Sequence, residues 1–138
     1  MYVPATGYYI FNFTGDAARA AGLLRARMWD LGPEEPHRDS LVPGDLALIY
    51  LAAPERNFIA RAKLDSRVHE WTASEAHRHP GDLPGGVLLA DVEEWNPPVP
   101  MDSVLSRIDR SAGARGDFEA GVVRIAADEY ETALAVVA

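Results

Sequence analysis

The sequence contains no cysteine, a single lysine and no long apolar run. Without cysteine the chain has no disulfides, no thiolate nucleophiles and no cysteine ligands for zinc. A membrane-spanning helix needs about 20 consecutive apolar residues, and no segment approaches that length. Residues Met1–Phe13 lack a basic stretch followed by an apolar one, so they do not predict a secretory signal. We therefore expect a cytoplasmic protein without a membrane partner.

Positive charge is also scarce. The formal net charge is −8, which disfavours nucleic-acid binding because phosphate contacts favour basic side chains. The imbalance is uneven, since residues 1–80 carry nine basic and ten acidic side chains whereas residues 81–138 carry four and eleven. The first part therefore contains enough basic side chains for a local positive face, namely Arg25, Arg27, Arg56, Arg61, Lys63 and Arg67.

The remaining composition is that of an ordinary globular domain. The chain has 138 residues, of which 48% are apolar and 25% charged. We expect a single domain over residues 1–138. The apolar final turn, Leu134–Val137, stops abruptly, which suggests that this domain is part of a larger protein.

Apolar periodicity and turn residues predict an alternating order of strands, loops and helices. The predicted strands are Gly7–Phe13, Leu46–Leu51, Phe58–Val68, Val87–Trp95 and Gly121–Ile125. The predicted helices run from an Asp16 N-cap to about Met28, from Met101 to Ile108, and from an Asp128 cap to Ala138. Leu31–Ser40 and Thr72–Gly86 are predicted loops, Pro43–Asp45 is a predicted turn, and Pro97 and Pro98 should end the fourth strand. Because the connections are too short for repeated parallel crossovers, we expect an α+β domain with a curved or barrel-like sheet and flanking helices.

Side chains with catalytic chemistry do not form a recognisable constellation. His77, His79 and Asp82 lie in a segment rich in proline and glycine, where a two-residue spacing fixes no ligand geometry. Gly81–Gly86 lacks the lysine of a phosphate-binding loop. Adjacent acidic residues such as Glu93–Glu94 face opposite sides of a strand, so they do not form an acid–base couple. We therefore expect a protein that is not an enzyme and holds no metal or cofactor.

Four segments carry the strongest pattern. Tyr8–Phe11 is an aromatic strand, and Met28–Asp30 places a tryptophan directly after the first helix. Leu41–Tyr50 is a Pro-Gly-Asp turn that leads into a strand ending in tyrosine, and Phe58–Leu64 is its return strand. In this order the segments resemble the EVE family, a branch of the PUA-like folds related to the YTH domains. The return strand departs from the family pattern, because Ala60 stands where glycine is usual.

The resemblance implies a pocket that takes a flipped, modified base, such as a methylated one. In such a pocket Trp29 and Tyr50 would supply aromatic surface, and Trp71 would be the opposing wall. The lining would also include Asn12, Phe13, Asp30 and Leu51, with Asn12 or Asp30 bonding to the Watson–Crick edge. Phosphate contacts would come from Arg25, Arg27, Arg61 and Lys63.

Three functions follow from these observations. The leading hypothesis is a non-catalytic module that recognises a modified base in DNA or RNA. Because EVE-like domains are often joined to nuclease domains in modification-dependent restriction, its partner would be a fused or associated nuclease. The acidic net charge favours the alternative of a regulatory module that binds a small molecule or peptide in the same pocket, without nucleic acid. A hydrolase acting on RNA is the third, by likeness to related PUA-like folds.

Overall fold

The computed structural model describes residues 6–52, 54–105, 107 and 121–137. Within these ranges seven strands form one sheet: Tyr8–Phe13 (β1), Met28–Asp30 (β2), Leu46–Leu51 (β3), Asn57–Leu64 (β4), His69–Glu70 (β5), Gly85–Pro100 (β6) and Val122–Ile125 (β7). The α-helices of this part are Ala17–Ala26 (α1), Ala73–Arg78 (α2), Met101–Leu105 (α3) and Ala127–Val137 (α4), and Arg38–Ser40 forms a short 3-10 helix. None of these helices is long and apolar enough to cross a membrane.

The sheet is mixed and curls into a half barrel. Its strands follow the order β2-β6-β4-β3-β1-β7, and β5 pairs with β6 beside this path. β1 runs parallel to β3, with Tyr8 opposite Leu46 and Phe13 opposite Leu51. The other strand pairs are antiparallel. The expected α+β class with a curved sheet and flanking helices is confirmed.

The central strands place side chains in two cores on opposite faces of the sheet. In β1, Tyr9 and Phe11 belong to the first core whereas Ile10 belongs to the second. Helix α1 packs on the first core through Leu23 and Leu24. Helices α3 and α4 cover the second core, with the buried side chains Met101, Val104, Tyr130 and Ala133. Because both faces are buried along β1 and β3, these two strands consist of almost continuous apolar residues instead of an apolar–polar alternation.

Helix α1 begins where the sequence predicts and ends slightly earlier. The Asp16 carboxylate accepts a hydrogen bond from the backbone N–H of Arg19 at 2.8 Å, which confirms the predicted N-cap. Arg27 adopts a left-handed conformation (φ 58°) that closes the helix. Met28, which the prediction placed at the end of the helix, instead begins β2.

The segment predicted as one loop, Thr72–Gly86, contains helix α2, so that prediction is wrong for its first half. The Thr72 hydroxyl accepts from the backbone N–H of Glu75, and the Glu75 carboxylate accepts from the backbone N–H of Thr72. This reciprocal capping box satisfies two N–H groups that the first helical turn leaves without partners. The spacing of Thr72 and Glu75 is typical of a capping box, but the surrounding histidine, glycine and proline residues favour the prediction of a loop.

Two further boundaries differ from the prediction. Strand β6 continues through Pro97 and Pro98. These two residues lie in a bulge between the Ala60–Glu94 and Phe58–Val99 pairs of β4 and β6. A proline is tolerated in a bulge, because its missing N–H removes no hydrogen bond between the strands. Helix α4 begins at Ala127, so Asp128 lies in the first turn and does not cap it. The predicted ends of the last two helices, Ile108 and Ala138, lie outside the described residues.

Candidate functional site

Three predicted pocket residues lie together in the first core. Trp29 is only 2% exposed, and Leu51 is equally buried. The Trp29 ring stacks on Phe11 with centroids 6.5 Å apart and meets Phe13 edge-on at 5.6 Å. The Trp29 ring therefore presents no free face to a ligand in this structure, because neighbouring aromatic rings and α1 pack around it. The role of pocket wall predicted for Trp29 is not available to a ring buried in this way.

The structure does not bring Tyr50 and Asn12 to Trp29. Tyr50 is fully buried in the second core, where its hydroxyl donates to the sulfur of Met101 at 3.2 Å. Asn12 lies opposite Tyr50 in the register of β1 and β3, and its amide donates to the Gly121 carbonyl at 2.8 Å. The Asn12 side-chain oxygen is buried and has no hydrogen-bond partner in the described part of the chain. One shared pocket for Trp29 and Tyr50 is therefore excluded by strand alternation.

Asp30 and Trp71, by contrast, come together around a third side chain, His79. Nε2 of His79 donates to the Asp30 carboxylate at 2.5 Å, and the imidazole lies 4.9 Å from the Trp71 ring, centroid to centroid. The His79 side chain is 6% exposed and that of Asp30 is 13% exposed. We call this arrangement of Asp30, Trp71 and His79 the ring site, because a heteroaromatic ring lies between an aromatic face and a carboxylate.

The backbone around the ring site has room for glycine only. The first residues of β6 pair with β2 on one side and with β5 on the other. Gly86 is therefore the register partner of both Asp30 and His69. A Cβ at Gly86 would collide with the Trp29 carbonyl and lie 3.0 Å from the Trp71 ring. A Cβ at Gly81 would likewise collide with the Asp30 carboxylate. The glycines that sequence analysis set aside are therefore required for close packing at this site.

His69 and Glu75 support the outer side of Trp71. The His69 ring meets Trp71 edge-on at 5.6 Å, and its Nε2 contacts the Glu75 carboxylate at 2.9 Å. The pKa of His69 is raised, first by its hydrogen bond to the Arg67 carbonyl and further by Glu75, against an opposing effect of burial. The pKa of Glu75 is lowered, chiefly by the backbone N–H of Thr72 and then by His69. This pair fixes α2 against β5, and thereby the Trp71 ring.

Sequence reasoning did not assign His79 to the site. In the sequence His77 and His79 are alike, because both lie in a segment rich in proline and glycine. Only the fold separates them, because the partner of His79 lies 49 residues away on β2, whereas His77 is exposed on α2. No local sequence signal identifies such a pair. In the described ranges no group of three or more His, Asp or Glu side chains is arranged to hold a metal ion.

The four predicted phosphate contacts are divided between the two faces of the sheet. Arg25 and Arg27 are exposed at the end of α1, which packs on the first core beside the ring site. Arg61 and Lys63 line a groove of about 340 Å³ on the other face, next to Tyr130 of α4. Arg61 is paired there with Glu93 at 3.0 Å. Burial raises the pKa of Tyr130, and the Arg61 charge opposes this effect. These four residues therefore do not form a single phosphate-binding surface.

No family model matches the chain, and no curated protein does. Solved structures, however, match it over nearly its full length. A protein from Agrobacterium tumefaciens superposes with a TM-score of 0.65 at 15% identity, covering 95% of this chain and 93% of its own. A hypothetical protein from Leishmania major gives 0.68 at 12% identity, with 95% and 94% covered. An ASCH protein from Zymomonas mobilis gives 0.59 at 10% identity, with 95% and 96% covered. At these identities the likeness shows the fold, which is the PUA-like α+β fold shared by ASCH-type domains.

Proposed function

We propose that this domain recognises a base of DNA or RNA at the ring site, without catalysing a reaction. One observation carries the proposal: Asp30 and Trp71 hold a heteroaromatic ring by a carboxylate hydrogen bond and by a tilted ring–ring contact, with 45° between the ring planes. A hydrogen-bonding side chain and an aromatic surface are the two features with which a protein holds an unstacked base. Stacking contributes about 1–3 kcal/mol per base, which offsets the few kcal/mol needed to unstack it.

The carboxylate determines which base edge is preferred. A carboxylate accepts hydrogen bonds, so Asp30 suits a base edge that presents an N–H donor, such as the exocyclic amino group of adenine, cytosine or guanine. A methylated amino group still retains one N–H for Asp30, and its methyl group gains an apolar contact with the Trp71 ring. This chemistry supports recognition of a modified base. A role as the specificity module of a restriction nuclease is a further part of the proposal, and it requires an associated nuclease.

Charge near the ring site supports nucleic acid as the ligand. Arg25 and Arg27 are exposed at the end of α1. Helix α1 also contacts the loop that follows His79, through the ion pair between Arg19 and Asp82. Arg78 extends from α2 to the end of α1, where it donates to the Ala26 carbonyl at 2.8 Å. Arg25, Arg27 and Arg78 therefore come together at the end of α1, where they would contact phosphate groups next to a bound base.

The direct test compares oligonucleotides with and without a methylated amino group, using fluorescence anisotropy. We expect tighter binding of the methylated oligonucleotide, strong loss with Trp71→Ala, and near-complete recovery with Trp71→Phe, because phenylalanine retains a stacking face. Circular dichroism of each variant would verify that the fold is intact. Equal affinity for both oligonucleotides in the unaltered protein would refute modified-base recognition. Unchanged binding by a folded Trp71→Ala variant would refute the site.

Salt dependence distinguishes the two faces of the sheet. Each phosphate contact changes the slope of log K against log salt by about 0.7–0.9. We expect the double variant Arg25→Ala and Arg27→Ala to flatten this slope by roughly two such increments, while Arg61→Ala and Lys63→Ala leave it unchanged. A flatter slope for Arg61→Ala and Lys63→Ala, with an unchanged slope for the Arg25 and Arg27 variant, would instead indicate that the nucleic acid binds on the α4 face.

A second candidate is a regulatory module that binds a free heteroaromatic molecule or a peptide at the ring site. The net charge of −8 favours it, as does the loss of one local cation, Arg19, to its pair with Asp82. Such a ligand has no phosphate backbone. Binding of a free nucleoside that is insensitive to salt, without measurable oligonucleotide binding, would select this candidate over the first.

A further inference from the structure

We propose that His79 is an internal plug of the ring site, and that the segment 79–84 must move away before a ligand ring can enter. The proposal rests on the proposed function, since it concerns access to the same site. His79 makes both contacts that a bound ring would need, with Asp30 and with Trp71. Because its side chain is only 6% exposed, no second ring fits between those partners while His79 remains there.

The segment that carries the plug is held by polar contacts. The Asp30 carboxylate accepts from the backbone N–H groups of Asp82 at 3.2 Å and of Leu83 at 3.4 Å. The Trp71 indole N–H donates to the Leu83 carbonyl at 3.0 Å, and the Trp71 backbone N–H donates to the Pro84 carbonyl at 2.9 Å. Asp30 and Trp71 thus hold the segment as well as the imidazole, but through different atoms: the imidazole contacts Oδ1 of Asp30, whereas the segment donates to Oδ2. Opening of the segment therefore breaks these hydrogen bonds, and it leaves Asp30 Oδ1 and the Trp71 ring for the ligand.

Segment 79–84 contributes little to either core. Its one closely packed side chain is that of His79, and Leu83, its one large aliphatic side chain, is 38% exposed. The ion pair between Asp82 and Arg19 joins two exposed side chains and therefore contributes little. Segments with few buried apolar contacts open at a low free-energy cost compared with the core. The plug can therefore move without disturbing the packing around Trp29.

The plug makes the apparent ligand affinity proportional to the fraction of molecules in which the site is open. The apparent dissociation constant equals the intrinsic constant divided by the open fraction. If the open state is a minor state of about 1–10%, removal of the plug tightens binding by roughly 10- to 100-fold.

Two variants remove the plug by independent routes. His79→Ala vacates the space between Asp30 and Trp71. Gly81→Ala retains the His79 side chain but disturbs its seat, because the added Cβ would collide with the Asp30 carboxylate and lie 2.8 Å from Nε2 of His79, so that these groups cannot keep their present positions. The matched control is His77→Ala, since His77 is an exposed histidine two positions earlier with no contact to the ring site.

Imidazole is the first probe, because it replaces the lost side chain and requires no nucleic-acid binding. We expect imidazole to bind His79→Ala saturably, quench its tryptophan fluorescence and raise its melting temperature, with no such effect on His77→Ala. Absence of saturable binding to a folded His79→Ala variant would overturn the proposal, because the vacated space would then not be a ring site.

The second probe is a single-stranded oligonucleotide with one adenine methylated on its amino group. We expect both His79→Ala and Gly81→Ala to bind it roughly 10- to 100-fold more tightly than the unaltered protein, with imidazole competing in the first variant. Unchanged or weaker binding by both variants would show that His79 is structural and would overturn the plug. If no variant binds any oligonucleotide while imidazole still binds His79→Ala, the nucleic-acid function fails and the plugged ring site stands.

Discussion

Replacement of Asp45 by asparagine tests how the Pro43–Asp45 turn is held against β1. The Asp45 side chain is 3% exposed, and each of its oxygens accepts one backbone hydrogen bond. The donors are the N–H of Gly7 at 2.9 Å and the N–H of Val42 at 3.0 Å. An asparagine retains only one acceptor oxygen, so its NH₂ group must face one of these N–H groups.

The magnitude follows from these two contacts. A hydrogen bond to a charged group contributes about 1.5–3 kcal/mol, and an unsatisfied buried donor costs about 1–3 kcal/mol. Part of this loss is offset because the Asp45 charge is buried without a basic partner among the described side chains, and the variant removes that charge. We expect a net loss of about 2–4 kcal/mol, which is a large share of the roughly 5–15 kcal/mol that stabilises a typical domain.

Urea unfolding followed by tryptophan fluorescence measures this loss, with Asp39→Asn as the matched control. Asp39 is exposed, so its replacement should change stability by less than about 0.5 kcal/mol. A second readout is the phenol of Tyr9, whose pKa is raised mainly by burial and further by the Asp45 charge. Asp45→Asn should therefore lower the pKa of Tyr9. A loss below about 1 kcal/mol, together with an unchanged Tyr9 titration, would refute the reasoning.

Trp29→Ala should cost about 3–5 kcal/mol of unfolding free energy, because the ring packs between Phe11 and Phe13 in a closed core. Urea unfolding measures this loss, and a fully stable variant with impaired ligand binding would instead support a direct site role for Trp29. The His69–Glu75 pair should stabilise the fold in a pH window. Since the pKa of His69 is raised, its contribution is complete below the ordinary value of 6.5 and disappears as pH rises through the raised value. Since the pKa of Glu75 is lowered, its contribution is present above the ordinary value of 4.5 and disappears as pH falls through the lowered value. The stability difference between the unaltered protein and His69→Ala should therefore be largest between these two values, and a difference independent of pH would contradict the assignment.

Much of the fold could be predicted because its signals are local. Asp16 marks the start of α1 with an N-cap, and Pro43–Asp45 marks the turn before β3. Thr72 and Glu75 also carried a local signal, the capping-box spacing, although the composition around them favoured a loop. The pairing of β1 with β3 could not be read locally, because a parallel pair depends on contacts across the intervening helix and turn.

The composition of the candidate site was only partly predictable. Neighbouring strand residues point to opposite faces, so a pocket that includes both Tyr50 and Leu51 already conflicts with the alternation of β3. The same reasoning separates Asn12 from Phe13 in β1. The meeting of Asp30, Trp71 and His79 depends on three distant segments, and neither spacing nor composition brings such residues together.

The acidic net charge is distributed in a way that bears on the choice of ligand. Asp91, Glu93 and Glu131 lie on the α4 face, around the groove that Arg61 and Lys63 line, so the cations there have acidic neighbours. On the α1 face the carboxylates of Asp30, Glu75 and Asp82 are each engaged by a histidine or an arginine. Because these three carboxylates are engaged while Arg25 and Arg27 are exposed, a net charge of −8 is compatible with a polyanion at this face. The same distribution predicts an orientation: a nucleic acid approaches along α1 and α2, and the acidic face around α4 points away from it.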